Sequence, residues 1–455
     1  MTDIDMRELP ELHVCVVEKG GRGRAAWHRC EIETDLRFGV EDMAAYFYAR
    51  WDPIVFDTML VAAAVEFCDK IKKRPPLGWA RQIYLHVPVD APAHWGGDAV
   101  SDALHAALNL LTGDRWHITF GKRRRATAQP SQETMPFDPG MEAVMPFSDG
   151  LDSRAVSALM EQKYGSRLVR MRLGTKTWDQ PVGASGRKQP FQAVPYQVKT
   201  NGKATEATAR SRGFKFAILS GLAAYLAKAP AVIVSESGQG AVGPVLVPVG
   251  HAHEDYRNHP TFMAMMTEFL EVLLGYKVRF LFPRLWHTKG ETLAEYAALG
   301  RSDWKDTRSC WQDNRHASVD GHRRQCGICA ACMLRRLSLH AAQLHEASDV
   351  YIWDDLSKPD FEGAAASGFK GSRNTKKKDA IAGALHLHHM AGLRKSVLSK
   401  QTLDLNAFHL SRALGLPKAE IAAKVDRMLG RHEQEWSAFT NALGRESFVL
   451  EWVGR

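Results

Sequence analysis

Met145-Pro146-Phe147-Ser148-Asp149-Gly150-Leu151-Asp152-Ser153-Arg154 is the stretch on which the fold turns. It ends a strand-sized apolar run, Ala143 to Phe147, and opens a segment with helical spacing, Leu151 to Tyr164. Open α/β sheets bind ligands at such strand-to-helix turns. Small residues let the backbone approach a phosphate, while free amides and the positive dipole end of the helix stabilise negative charge. Ser148 and Ser153 can donate hydroxyl hydrogen bonds, and Asp152 can hold a Mg²⁺ that bridges phosphate oxygens. The loop is not a Walker A loop, since GxxxxGK[ST] occurs nowhere in the chain. Read locally, the same string is also an Asx-capped turn.

The rhythm on either side divides the chain into three. Residues 139–345 alternate strand-like runs (Ala143–Phe147, Leu168–Leu173, Ala231–Ser235, Lys277–Phe282) with helix-like segments (Leu151–Tyr164, Gly213–Ala227, Thr261–Leu274, Thr288–Ala298). Apolar strands alternating with amphipathic helices predict a Rossmann-like parallel sheet covered on both faces. Residues 1–138 mix strands (Leu12–Val17, Gln82–Val89, Trp116–Phe120) with helices (Pro53–Lys70, Val100–Leu111), predicting an accessory α+β domain. It ends in a basic and then Pro/Gln/Ser-rich linker, Lys122 to Pro139. Residues 346–455 open with a polar stretch from Gly363 through Lys376-Lys377-Lys378 and continue as a helical C-terminal region.

The 455 residues are 45% hydrophobic and 24% charged, which excludes collagen-like, mainly disordered and disulfide-scaffold readings. Sixty Lys+Arg against 51 Asp+Glu give a formal charge of +9, a bias toward anionic partners. The N-terminus has no cationic start followed by an apolar core, and no apolar run approaches the ~18 residues of a membrane span. A soluble, cytoplasmic protein is expected.

Four of the seven cysteines crowd together: Cys310, then Cys326-Gly327-Ile328-Cys329-Ala330-Ala331-Cys332. Four thiolates suit a closed tetrahedral Zn²⁺ site, structural because no position stays open for substrate. Gly327 permits the tight turn of the knuckle, and Cys332 falls on the first turn of the next helix. A three-cysteine iron–sulfur site or inert buried thiols are the alternatives. Cys15, Cys30 and Cys68 are expected to be small core residues.

The loop resembles the SGGxDS pyrophosphatase loop of the ATP-cleaving, adenine nucleotide α-hydrolase-like superfamily. With the downstream C…CGxCxxCxxR it resembles QueC, the 7-cyano-7-deazaguanine synthase family. Ala209-Arg210-Ser211-Arg212-Gly213-Phe214-Lys215, Ile233-Val234-Ser235-Glu236-Ser237 and Pro283-Arg284-Leu285-Trp286-His287-Thr288-Lys289-Gly290-Glu291-Thr292 are similar to further strings of that family. The similarity covers about residues 141–344. The added regions make the chain look like the enlarged QueC-like proteins of bacterial anti-phage systems, Qat and type IV CBASS. Asp149 departs from the pattern, standing where it has glycine. A carboxylate about 4 Å from a phosphate is repelled by roughly 4 kcal/mol at an effective dielectric near 20. Its side chain therefore turns outward, helps bind a metal, or weakens the site.

The resemblance implies that a carboxylate, 7-carboxy-7-deazaguanine in the family, attacks the α-phosphate of ATP to give an acyl adenylate and pyrophosphate. Phe147, Ser148, Asp149, Gly150, Leu151, Asp152 and Ser153 would form the phosphate site with Mg²⁺. Asp152, Ser153 and Lys289 would be catalytic, and Arg210 and Arg212 would neutralise phosphate charge. Ammonia or another amine then displaces AMP, giving an amide, which a second ATP-dependent round can dehydrate to a nitrile. In the enlarged form the acceptor is expected to be an amine on a partner protein. Ser235, Glu236 and Asp255 are the substrate-binding candidates; the His251-to-His259 loop around Asp255 reads first as plain surface, and otherwise as an active-site loop or a metal site. Two other functions fit the same strings: a tRNA-modifying adenylating enzyme, or a partner-binding scaffold weakened by Asp149.

Overall fold

The apolar runs around the quoted stretch form strands because β-branched and aliphatic residues bury both faces of a parallel sheet. In the computed structural model, residues 9–40, 52–75, 78–125, 140–148, 150–173, 191–200, 206–249, 252–311 and 317–454 are described. Asp149, most of the 122–139 linker, His251 and His316 lie outside them. By contacts the chain groups into two units that interleave along the sequence. One comprises residues 1–146, 164–234 and 255–281; the other comprises 147–163, 235–254 and 282–455.

The first unit carries two parallel sheets. β1 (Glu11–Val17), β2 (His28–Glu31), β4 (Gln82–Val89) and β5 (Arg115–Lys122) form a sheet of order β2-β1-β4-β5. This part was expected to be α+β. Its four-stranded sheet is parallel, and the helix Asp98–Thr112 makes the crossover from β4 to β5. The helix Pro53–Ile71 starts where Asp52 caps it, its carboxylate accepting the Ile54 N–H at 3.0 Å.

The second sheet has the order β11-β10-β6-β7-β8, with β6 at Ala143–Pro146, β7 at Leu168–Leu173, β8 at Phe191–Val194, β10 at Ala231–Ile233 and β11 at Arg279–Leu281. All its pairings are parallel, as the alternation predicts. β3 (Leu36–Phe38) and β9 (Tyr196–Val198) make a small antiparallel pair. From β6 the chain proceeds to β7 on one side and returns through β10 on the other, so the order reverses at β6 and β10. The segments that leave their carboxyl ends carry the phosphate loop and Ser235-Glu236. Pro146, which lacks a ladder donor, is tolerated as the last residue of β6.

The second unit is mainly helical. The helices Ala330–Ala341, Arg373–Gly392, Lys400–Leu414, Lys418–Leu443 and Phe448–Trp452 share one core containing Trp353, Phe361, Trp436 and Phe448. Cys326, Cys329 and Cys332 belong to that same core. The C-terminal region therefore packs with the cysteine module, and the Lys376-Lys377-Lys378 stretch lies within a helix. A smaller cluster joins Leu151, Ala155 and Ala158 of the helix Leu151–Tyr164 to Leu293 and Tyr296 of the helix Lys289–Ala298, and to Leu339. That cluster fixes the loop helix beside the helix that begins at Lys289. Among the described residues, no helix is long and apolar enough to cross a membrane.

Candidate active site and metal centre

The loop is organised around one hydroxyl. Ser153 Oγ accepts the Ser148 N–H at 3.2 Å and lies 2.7 Å from the Ser148 carbonyl, 3.0 Å from that of Gly150 and 3.0 Å from Ser148 Oγ. Ser148 Oγ accepts the Gly150 N–H at 3.2 Å. These short-range bonds curl the backbone ahead of the helix Leu151–Tyr164, whose first-turn amides have no intrahelical partner. Phe147 and Leu151 are buried and anchor the two ends.

Lys289 meets this loop. Its Nζ lies 2.7 Å from Asp152 Oδ2, with only 9% of the lysine side chain and 22% of the aspartate exposed. Burial alone would push the ammonium pKa down. Asp152, and then Glu236, outweigh it and hold the pKa above the ordinary lysine range. Lys289 is thus a fixed cation at the mouth of the loop. It also occupies the first turn of a helix, where the dipole disfavours a positive charge by about 0.3–1 kcal/mol. The pairing with Asp152 offsets that cost.

The mount of the lysine is a capping box. Thr288 Oγ1 accepts the Glu291 N–H at 3.1 Å and Glu291 Oε2 accepts the Thr288 N–H at 2.9 Å. The Lys289 N–H donates to Gln239 Oε1 at 2.7 Å, and Thr288 Oγ1 donates to Glu435 Oε1 at 2.6 Å. Glu236 packs so closely on Gly240 that a Cβ there would fall 2.1 Å from its carboxylate. Gln239, Thr288 and Glu435 were not singled out from sequence. The T-x-x-E box at 288–291 was the one legible signal.

Arg210, Arg212 and Asp255 belong to the other unit. Arg210 Nη1 pairs with Asp255 Oδ2 at 2.9 Å, and Arg257 Nη2 reaches the same oxygen at 2.6 Å. Burial pushes the Asp255 carboxyl up, but Arg257 and Arg210 hold it below the usual carboxylate range. Arg212 is exposed, its guanidinium over the Phe216 ring. Ser235 and Glu236 lie in the unit of the loop.

Cys310, Cys326, Cys329 and Cys332 converge, their sulfurs all within 4.8 Å of one another. Cys326 and Cys332 Sγ are 3.8 Å apart, the edge of a tetrahedron with ~2.3 Å metal–sulfur bonds. Cys310 Sγ accepts the Cys326 N–H at 3.2 Å and Cys326 Sγ accepts the Cys329 N–H at 3.3 Å, hydrogen bonds that favour thiolates. Gln325 Oε1 accepts the Ser309 and Cys310 N–H groups, tying the Cys310 loop to the knuckle. Gly327 has φ +84°, and a Cβ there would meet the Trp353 carbonyl at 2.6 Å, so only glycine makes this turn. Mutual hydrogen bonding with the other three sulfurs drives the Cys310 thiol far down, while Cys326 and Cys332 are pushed well up. Four sulfurs at this spacing cannot all carry charge alone; a Zn²⁺ resolves that conflict, and the donor set fits it. Cys15, Cys30 and Cys68 are buried and apart from this cluster.

These features define an α/β chain whose strand-to-helix loop faces a buried lysine, with a closed cluster of four cysteines in the same unit. Residues 241–343 match the family model of QueC, described as queuosine biosynthesis protein QueC, and over that stretch the chain is QueC-like. The match takes in Lys289 and all four cysteines; the loop 147–153 lies before it. No curated protein matches the chain.

Proposed function

We propose that the chain is an ATP-dependent, AMP-forming synthase that activates a 7-deazaguanine carboxylate. The observation that carries this reading is the 2.7 Å pairing of Lys289, inside the QueC-like stretch, with Asp152 of the loop outside it. Two strings about 140 residues apart in sequence thereby form one anion site.

A carboxylate oxygen of the base attacks the α-phosphorus of ATP. The bond from that phosphorus to the bridging oxygen breaks, and pyrophosphate leaves with the electron pair. The first-turn amides of the helix Leu151–Tyr164 and the hydroxyls of Ser148 and Ser153 hold the departing phosphates. Lys289 releases Asp152 and turns its charge to the leaving oxygens, a type of electrostatic stabilisation worth several kcal/mol. Asp152 and Glu236 are the carboxylates that would hold a Mg²⁺, which supplies charge neutralisation on the phosphates. An amine then attacks the acyl carbon and AMP leaves. The proposed acceptor is an amine on a partner protein in a bacterial anti-phage pathway; an ammonia acceptor would give the free amide.

Purified protein with Mg·ATP and 7-carboxy-7-deazaguanine tests this by pyrophosphate release, with the Asp152→Ala variant as control. Release that needs tRNA instead of the base would replace the substrate. Mass spectrometry of a co-expressed partner tests the acceptor: an unmodified partner rules conjugation out.

A further inference from the structure

The first turn of the helix carrying Lys289 is gripped by one face of the helix Lys418–Leu443, which lies outside the QueC-like stretch. His432 Nε2 donates to the Leu387 carbonyl at 2.9 Å, leaving Nδ1 to accept from Gln239 Nε2 at 2.8 Å. That fixes the Gln239 amide so that its oxygen receives the Lys289 N–H. Burial lowers the His432 pKa to about 4, so the ring stays neutral and keeps this tautomer near pH 7. One turn further along, Glu435 Oε1 takes the Thr288 hydroxyl. The same carboxylate packs on Gly290, where a Cβ would fall 2.8 Å from it and 2.7 Å from Ala341 Cβ. Met428 closes on Gly238, where a Cβ would be 2.9 Å away.

Buried polar groups are a costly way to fill a core. Here they converge on one turn, residues 288–290, through the Lys289 N–H and the Thr288 hydroxyl. We propose that His432, acting through Gln239, and Glu435, acting through Thr288, are positioning residues that set the aim of Lys289. The C-terminal helix is then part of the reaction centre and not an appendage. The inference rests on the reading that Lys289 faces ATP phosphates, and a misplacement of about 1 Å in such a site costs on the order of 100-fold in rate.

The test pairs two isosteric substitutions. His432→Asn keeps an acceptor near the Nδ1 position and loses the bond to Leu387; His432→Gln does the reverse. Gln239→Leu removes the relay. Each variant is read by kcat and KM for pyrophosphate release, and by labelling of the Lys289 amine with an amine-reactive ester, mapped by peptide mass spectrometry. Melting temperature and zinc content report folding. We expect His432→Gln and Gln239→Leu to lower kcat about 10- to 100-fold with little change in the KM for ATP, and to raise Lys289 labelling several-fold. His432→Asn should stay within about threefold of wild type in both readouts. Equal effects of the Asn and Gln variants, or wild-type labelling and kcat in all three, would overturn the proposal. If wild type releases no pyrophosphate yet the labelling order holds, the adenylation reading fails and the positioning role stands.

Discussion

Replacing Cys326 with serine removes one of four sulfurs from a centre buried in the core that also holds Trp353, Phe361 and Trp436. Two thiolates 3.8 Å apart repel by about 4 kcal/mol at an effective dielectric near 20. A cation at the centre offsets every such pair at once, so a weakened site loses more than one bond. Its loss frees the Cys310 loop, whose amides reach Gln325, and the turn on which the Trp353 N–H meets the Cys326 carbonyl at 3.1 Å. Breaking a buried charged partnership costs about 3–5 kcal/mol. At roughly 2–4 °C per kcal/mol for a unit of this size, the melting temperature should fall by about 10 °C. Elemental analysis should find zinc near one equivalent in wild type and well below that in Cys326→Ser after a chelator wash. A wild-type protein free of zinc, or a Cys326→Ser variant that melts like wild type, would refute the reasoning.

Other expectations follow from the loop and its surroundings. Lys289→Met removes a cation worth about 4 kcal/mol at 4 Å, so the rate of pyrophosphate release should drop about 10²–10³-fold; a loss under threefold would remove Lys289 from the mechanism. Ser153→Ala deletes the hydroxyl that organises Ser148 and Gly150, worth about 1 kcal/mol. It should raise the KM for ATP about fivefold, which initial-rate kinetics would read. Burial raises the Glu435 pKa to about 7, against the pull of Thr288, Arg431 and Gln239. The folded state therefore binds its proton more tightly than the unfolded chain. That stability is full below about pH 4.5 and is lost as pH rises through about 7. Glu435→Gln cannot ionise, so its melting temperature relative to wild type should be higher at pH 8 than at pH 5, by up to about 3 kcal/mol of stability. A difference independent of pH would contradict this.

What could be read from sequence was local. The Gln82–Val89 strand and the Leu151–Tyr164 helix have the expected bounds, because continuous alternation and helical spacing mark them. The cysteine knuckle was legible because four cysteines crowd into residues 310–332 at the spacing a tetrahedral metal site would need. The short strands His28–Glu31 and Leu36–Phe38 were not, since three or four residues carry no period. The lysine's surroundings were hidden for another reason. Gln239 and His432 are 193 residues apart in sequence, and no local pattern records a tertiary pair. The final helices read as an extension for the same cause: their apolar faces do not announce that the cysteine cluster is what they cover. Arg210 and Asp255, expected in phosphate and substrate roles, pair with each other, a contact that residue types alone leave open.

The central claim is that the loop and Lys289 cleave ATP to AMP and pyrophosphate when a 7-deazaguanine carboxylate is present. The most direct measurement is pyrophosphate released by the purified chain with Mg·ATP, with and without 7-carboxy-7-deazaguanine, beside the Asp152→Ala variant. The account predicts release that depends on the carboxylate and disappears in the variant. Pyrophosphate absent from wild type with and without a partner protein, or undiminished in Asp152→Ala, would contradict it.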